Sequence, residues 1–112
     1  MEPVGIDYKG MYAQVDFVKR QVLLDTGEFN SKILEERVKK ELVLICGYYV
    51  KHYDETRSIA PLGDARRFAA LVAIPKEYYG DITQYSIEEL VKRADVTEEF
   101  AQYRISLEVE QN

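Results

Sequence analysis

Leu34, Val38, Leu42, Ile45 and Tyr49 recur at spacings of three and four. That period lays one apolar stripe along a single helix face, and a stripe of this length must be covered by other parts of the chain. It predicts a helix that starts from a cap at Asn30 or Ser31 and runs to about Tyr53. Gly47 stands inside it at a cost of about 1 kcal/mol relative to alanine, which points to close packing at that position or to an inherited motif.

The flanking segments suggest what covers the stripe. From Met11 to Phe17 the residues Met11, Ala13, Val15 and Phe17 alternate onto one side of a strand. Val22 to Leu24, beyond a turn at Lys19 and Arg20, reads as the partner strand of a hairpin, and Thr26 and Gly27 end it. Asp54 to Gly63, with Pro61 and Gly63, reads as a loop. A second helix is expected from about Asp64 to just before Pro75. Ser86 and Glu89 have capping-box spacing for a third helix, and Thr97 can cap a fourth after a turn at Asp95. The expected fold is therefore α+β, a small antiparallel sheet formed by an N-terminal hairpin and packed against a layer of about four helices. Residues 1–112 are expected to form one domain with a frayed tail from 108 to 112. A chain of 112 residues, 46% apolar, can bury one core and remove roughly two-thirds of its unfolded surface from water.

Charge and targeting signals narrow the function classes. The net charge is −5, and from Asp81 onward eight acids face only Lys92, Arg93 and Arg104. A phosphate backbone is repelled by such a surface. Arg37, Lys39 and Lys40 are interleaved with Glu35, Glu36 and Glu41, the pattern of a solvated, salt-bridged helix face. The turn in RADVTEEF could open a helix-turn-helix, but Glu98 and Glu99 stand where a recognition helix would meet DNA. Nucleic acid is thus disfavoured as a partner. No apolar run approaches the ~18 residues of a membrane span, and MEPVGIDYKG has neither the basic start nor the apolar centre of a signal peptide. With one cysteine, Cys46, and no internal disulfide, the expected address is the cytoplasm.

Two strings, LVLICGYYVKH from Leu42 to His52 and DARRFAALVAIP from Asp64 to Pro75, resemble the landmark helices of the ImmA/IrrE family of small zinc metallopeptidases. The family strings read roughly LAHEhGHYhLH, with h apolar, and EANxFAAxLLMP. GIDYKGMYAQVDFVKRQVLL is similar to the family's N-terminal segment, ERVKKEL to its lead-in, and SIEELVKRADVTEEFAQYRI to its closing helices. The resemblance implies a zincin-like fold. It also implies a regulatory setting of phage or mobile-element type, because active members typically cut or relieve helix-turn-helix repressors. The zinc chemistry is missing, however. With Gly47 aligned to the family glycine, Leu44 and Tyr48 fall at the two histidines of H-E-x-x-H, and Ile45 falls at the catalytic glutamate. Asp64 stands near the acidic third ligand; in the other register that place goes to Leu62, which cannot bind metal.

Each candidate also has a plain structural reading. Leu44 and Tyr48 can fill a former cleft with hydrocarbon and a phenol. Asp64 after Gly63 reads as a helix cap. His52 matches a family histidine that is generally not a ligand, and reads as a packed or partly exposed imidazole. Cys46 and His52 lie about 120° apart on a helical wheel and make no metal pair. Ser31, Ser58, Ser86 and Ser106 lack the context of an activated nucleophile. The positive signal is tyrosine, nine residues with no tryptophan. Tyr48, Tyr49, Tyr78 and Tyr79, with His52, form the expected partner-binding set, since amphipathic aromatics are enriched at interfaces. The expected function is a catalytically inactive, metallopeptidase-like module that needs no cofactor or metal and binds a protein, such as a repressor-like partner. The rival readings are a metal-dependent or other small hydrolase with non-standard ligands, and a structural subunit that works as a homo-oligomer.

Overall fold

The computed structural model describes residues 2–110. Three antiparallel strands, β1 (Val4–Tyr8), β2 (Met11–Asp16) and β3 (Gln21–Thr26), form a sheet in that order. Five helices follow: α1 (Lys32–Thr56), α2 (Leu62–Ala73), the single turn α3 (Lys76–Tyr79), α4 (Ile87–Ala94) and α5 (Glu98–Glu110). A 3-10 turn, Ile82–Gln84, links α3 to α4. The expected α+β class with an antiparallel sheet and a helical layer is what the chain adopts. The sheet has one strand more than the hairpin read from the sequence, because β1 pairs with β2 from Val4 opposite Val15 to Tyr8 opposite Met11. Lys9 and Gly10, both at positive φ, make the two-residue turn between them, and this backbone twist suits a tight hairpin. In the next hairpin Asp16 Oδ1 accepts from the amides of Val18 (3.1 Å) and Lys19 (3.0 Å) and holds the four-residue connection closed.

The alternation of β2 buries Met11, Ala13 and Val15 on the face that meets α1, where Val38, Leu42, Ile45 and Tyr49 present the predicted stripe; Leu34, its expected first member, is exposed instead, in the first turn of the helix. Ser31 caps α1 by accepting from the Leu34 amide at 3.3 Å. The helix continues past Tyr53 to Thr56, and Arg57 ends it in a left-handed conformation. The expected loop is shorter as a result. Pro61, at φ −62, precedes the first turn of α2, so that helix begins at Leu62. Asp64 lies inside this turn, and the cap position belongs to Pro61, which corrects the reading of Asp64 as the cap. Buried Ala65, Ala69 and Ala70 let α2 pack closely on its neighbours. The Ser86 capping box is complete, with Glu89 N to Ser86 Oγ and Ser86 N to Glu89 Oε1 both at 3.1 Å. Thr97 caps α5 through the Phe100 amide at 3.3 Å.

Three further expectations are corrected. Gly47 is exposed, and a Cβ there would meet nothing within 4 Å, so it does not serve close packing. The segment from 108 is not frayed up to Glu110. Glu108 is buried in α5, with Oε1 2.7 Å from Nη1 of the fully buried Arg104, while residues 111 and 112 lie outside the described residues. Arg104 Nε donates to the Ile74 carbonyl at 2.8 Å and so ties α5 to the end of α2. Glu41 is fully buried and does not belong to a solvated face. Among the described residues no helix is long and apolar enough to cross a membrane.

Candidate functional site

The residues aligned with the zinc motif separate into three environments. Ile45 is fully buried in the core between α1 and the sheet. Leu44, half-buried, borders a shallow surface hollow shared with Glu36, Lys39, Lys40 and Val43. Tyr48, one turn further on, lines a groove of about 320 Å³ between α1 and α2, together with Asp64, Arg67, Phe68 and Leu71. Positions 48 and 64 therefore do share a groove, although nothing in the Asp64 cap reading required it. The Tyr48 ring lies 4.9 Å from Phe68 and 5.7 Å from His52, centroid to centroid, and these stacks fix its orientation. Among the described residues no group of three or more His, Cys, Asp or Glu side chains is placed to hold a metal ion.

The remaining aromatics of the expected set divide. Tyr49 is buried in the core, and desolvation, reinforced by Cys46, raises its hydroxyl pKa. It offers no surface to a partner. Tyr78 is 82% exposed and stands edge-on to Tyr79, which in turn meets Tyr85 edge-on at 5.7 Å. The Tyr85 hydroxyl donates to the Tyr79 carbonyl at 2.9 Å, and the Arg93 guanidinium lies over the Tyr85 ring. This ladder belongs to α3, the 3-10 turn and α4. Neither Tyr78 nor Tyr79 lines the α1–α2 groove. Cys46 is buried, and desolvation pushes its thiol up to about 11, which removes the thiolate needed for nucleophilic chemistry near neutrality.

Sequence reasoning missed a buried polar cluster. Glu41 is fully buried, and its carboxylate accepts from the Tyr8 hydroxyl (2.5 Å), Lys9 Nζ (2.9 Å), the Thr97 amide (2.7 Å) and the Thr97 hydroxyl (3.2 Å). Lys9 Nζ also donates to Thr97 Oγ1 at 2.7 Å and sits over the rings of Tyr8 and Phe100. Burial is the larger cause, and the bond to Glu41 the next, of a Tyr8 hydroxyl raised far above its ordinary range. Four donors satisfy the carboxylate, as a charge held out of water requires. A signal for it existed: Glu41 lies three residues after Val38 and four before Ile45, inside the apolar stripe. The cluster joins β1, α1 and the start of α5, and its groups bond to one another, so it serves as a structural lock. Set against known protein families, curated proteins and solved structures, the chain finds no match in any of the three.

Proposed function

We propose that this chain is a catalytically inactive, ImmA/IrrE-like domain of zincin type that acts by binding a protein partner through the α1–α2 groove. The observation that carries the reading is the packing of Tyr48 on Phe68 beside Asp64. An aromatic pair occupies the position where the resemblance would put a zinc ligand, within a groove that also offers a carboxylate, a guanidinium and the partly exposed Leu71. Aromatic rings of fixed orientation flanked by opposite charges suit a polypeptide, because they give area at low entropic cost and the charges set register. Ile45, buried in the core where the resemblance would put the catalytic glutamate, and the inert Cys46 supply this groove with neither a carboxylate base nor a thiolate. The repressor-like character of the partner and the phage or mobile-element setting rest on the resemblance alone.

The test is photocrosslinking from position 67 on the groove rim to identify the bound protein, followed by calorimetry with the purified partner. Tyr48→Ala and Phe68→Ala should each weaken binding by about 1 to 3 kcal/mol if these rings are anchors. The partner should remain uncut after incubation. Unchanged affinity in both folded variants would remove the interface from this groove, and cleavage of the partner would overturn the inactive reading.

A further inference from the structure

The chain carries 20 acids against 15 bases, yet the balance reverses along one side of α1. Leu44 borders a hollow of about 320 Å³, and Tyr48, one turn further on, borders the α1–α2 groove of the same size. The charged residues lining the two are Lys39, Lys40 and Arg67 against Glu36 and Asp64. Glu36 is shared with Lys32 at 3.9 Å, whereas Lys40 donates to the Ala94 carbonyl, a neutral group that leaves its charge uncancelled. Among the described residues Lys39, Arg67 and Asp64 form no ion pair, although Asp64 and Arg67 stand three apart on α2, within reach of each other. Three free cations therefore face one free carboxylate. The hollow beside Gly47 differs: its two bases, Arg20 and Lys51, meet two acids, Asp54 and Glu55, and Arg20 is paired with Asp54.

The apolar floor gives the occupant its shape. Leu44 and Tyr48 on α1, and Phe68 and Leu71 on α2, stand at helical spacing on two packed helices, and a groove between such ridges receives a third helix along its length. From position 40 to position 48 the run is about 12 Å, a little over two helical turns. A helix with apolar anchors on one face and acids beside them meets the aromatic rings and the three cations together, while a basic one sets its charges against Lys39, Lys40 and Arg67. Arg66 is not available for this, because it is bonded to Glu99 and lies over the Tyr103 ring; Arg67 is exposed and free. We propose that the partner in the Tyr48 groove is an amphipathic helix with acidic residues flanking its apolar face, one of whose carboxylates meets Arg67, an inference that rests on the α1–α2 groove being the binding surface.

Two synthetic amphipathic helical peptides of about four turns test the assignment. They share one leucine face and carry either glutamates or lysines beside it, and each is titrated into the full chain at low salt, with affinity read by fluorescence anisotropy and position by amide chemical shifts. The glutamate peptide should bind the more tightly, against the pull of the chain's net charge of −5, and should shift amides around Tyr48 and Phe68. Arg67→Glu should weaken the glutamate peptide by about threefold to tenfold and leave the lysine peptide unweakened. Tyr48→Ala should weaken both peptides. A lysine peptide that binds this groove as tightly as the glutamate peptide, or an Arg67→Glu variant with an unchanged preference, would overturn the inference and leave the groove as the interface. Peptides that bind without shifting the groove amides, and equally well to Tyr48→Ala, would overturn the groove itself. No binding of either peptide at high micromolar concentration would overturn the helix as occupant.

Discussion

The Glu41 carboxylate accepts the backbone amide of Thr97 at 2.7 Å across 56 residues of chain, so a side chain from the middle of α1 caps the start of α5. The same carboxylate holds Tyr8 and Lys9 on the first hairpin. Removing one member of a buried, hydrogen-bonded charge cluster leaves the others unpaired, which costs more than the bonds themselves. Glu41→Ala should therefore lower the unfolding free energy by about 3 to 5 kcal/mol, read from urea denaturation. Glu36→Ala, on the exposed side of the same helix, should stay within about 0.5 kcal/mol of wild type. Equal effects would place Glu41 in solvent.

Gly47→Ala should stabilise the fold by about 0.5 to 1 kcal/mol, because the position is helical, exposed and open to a methyl group. Thermal unfolding with a raised midpoint checks it. A lowered midpoint would mean that the backbone at Gly47 is approached by something in solution, and a partner in the adjoining hollow would be the first candidate.

Stability should fall on the alkaline side. The Tyr8 hydroxyl and the Cys46 thiol are both raised in the fold, from ordinary values of 10.0 and 9.0, mainly by burial. A group raised on folding stabilises fully below its unfolded pKa and ceases to do so as the pH climbs through the interval to its folded value. The urea midpoint should thus be level up to about pH 9 and decline above it. Tyr8→Phe combined with Cys46→Ala should flatten that decline, and an unchanged slope would show that neither group titrates against the fold.

How far this architecture could be read from the chain depended on whether a signal was local. The α1 stripe and the Ser86 capping box are written in local spacing, and both appear where that spacing puts them, except that the stripe starts at Val38 and leaves Leu34 exposed. β1 does carry a local signal, since Val4, Ile6 and Tyr8 alternate onto the covered face with Gly5 and Asp7 outward, but it is only five residues long, and its pairing with β2 and its bond to the distant Glu41 are not written in that pattern. The start of α2 was misplaced because Gly63 looks like a break, whereas Pro61 fixes the entry angle and lets Leu62 and Gly63 form the first turn. Arg104 and Glu108 read as surface charges in an acidic tail, yet Arg104 is buried between Glu108 and the carbonyl of Ile74, the residue just after α2, a placement set by packing between distant segments. Of the site, the sharing of one groove by positions 48 and 64 was legible only through the family resemblance. The separation of Tyr78 and Tyr79 from that groove, and the burial of Tyr49, follow from tertiary packing that no local pattern encodes.

The exposed tyrosine ladder carries its own expectation. Tyr78→Ala should leave folding stability within about 0.5 kcal/mol of wild type, since little of the ring is covered. Tyr79→Ala should cost more, because the ring lies between Tyr78 and Tyr85. Chemical denaturation of the pair separates the two positions, and equal costs would contradict the described ladder.

Zinc titration of a chain with histidines placed at positions 44 and 48 tests the proposed reading most directly. The variant is Leu44→His with Tyr48→His, leaving Ile45 in place because a glutamate there would bury a carboxylate in the core. Positions 44 and 48 are one helical turn apart, and Asp64 borders the groove of position 48, where its carboxylate is available as a third donor beside the two imidazole nitrogens. By calorimetry the wild type should take up no stoichiometric zinc, the double variant should bind about one ion, and adding Asp64→Ala should weaken that binding. A wild type that holds one zinc per chain, or a folded double variant that binds none, would contradict the proposed likeness of this helix to that of a zinc metallopeptidase.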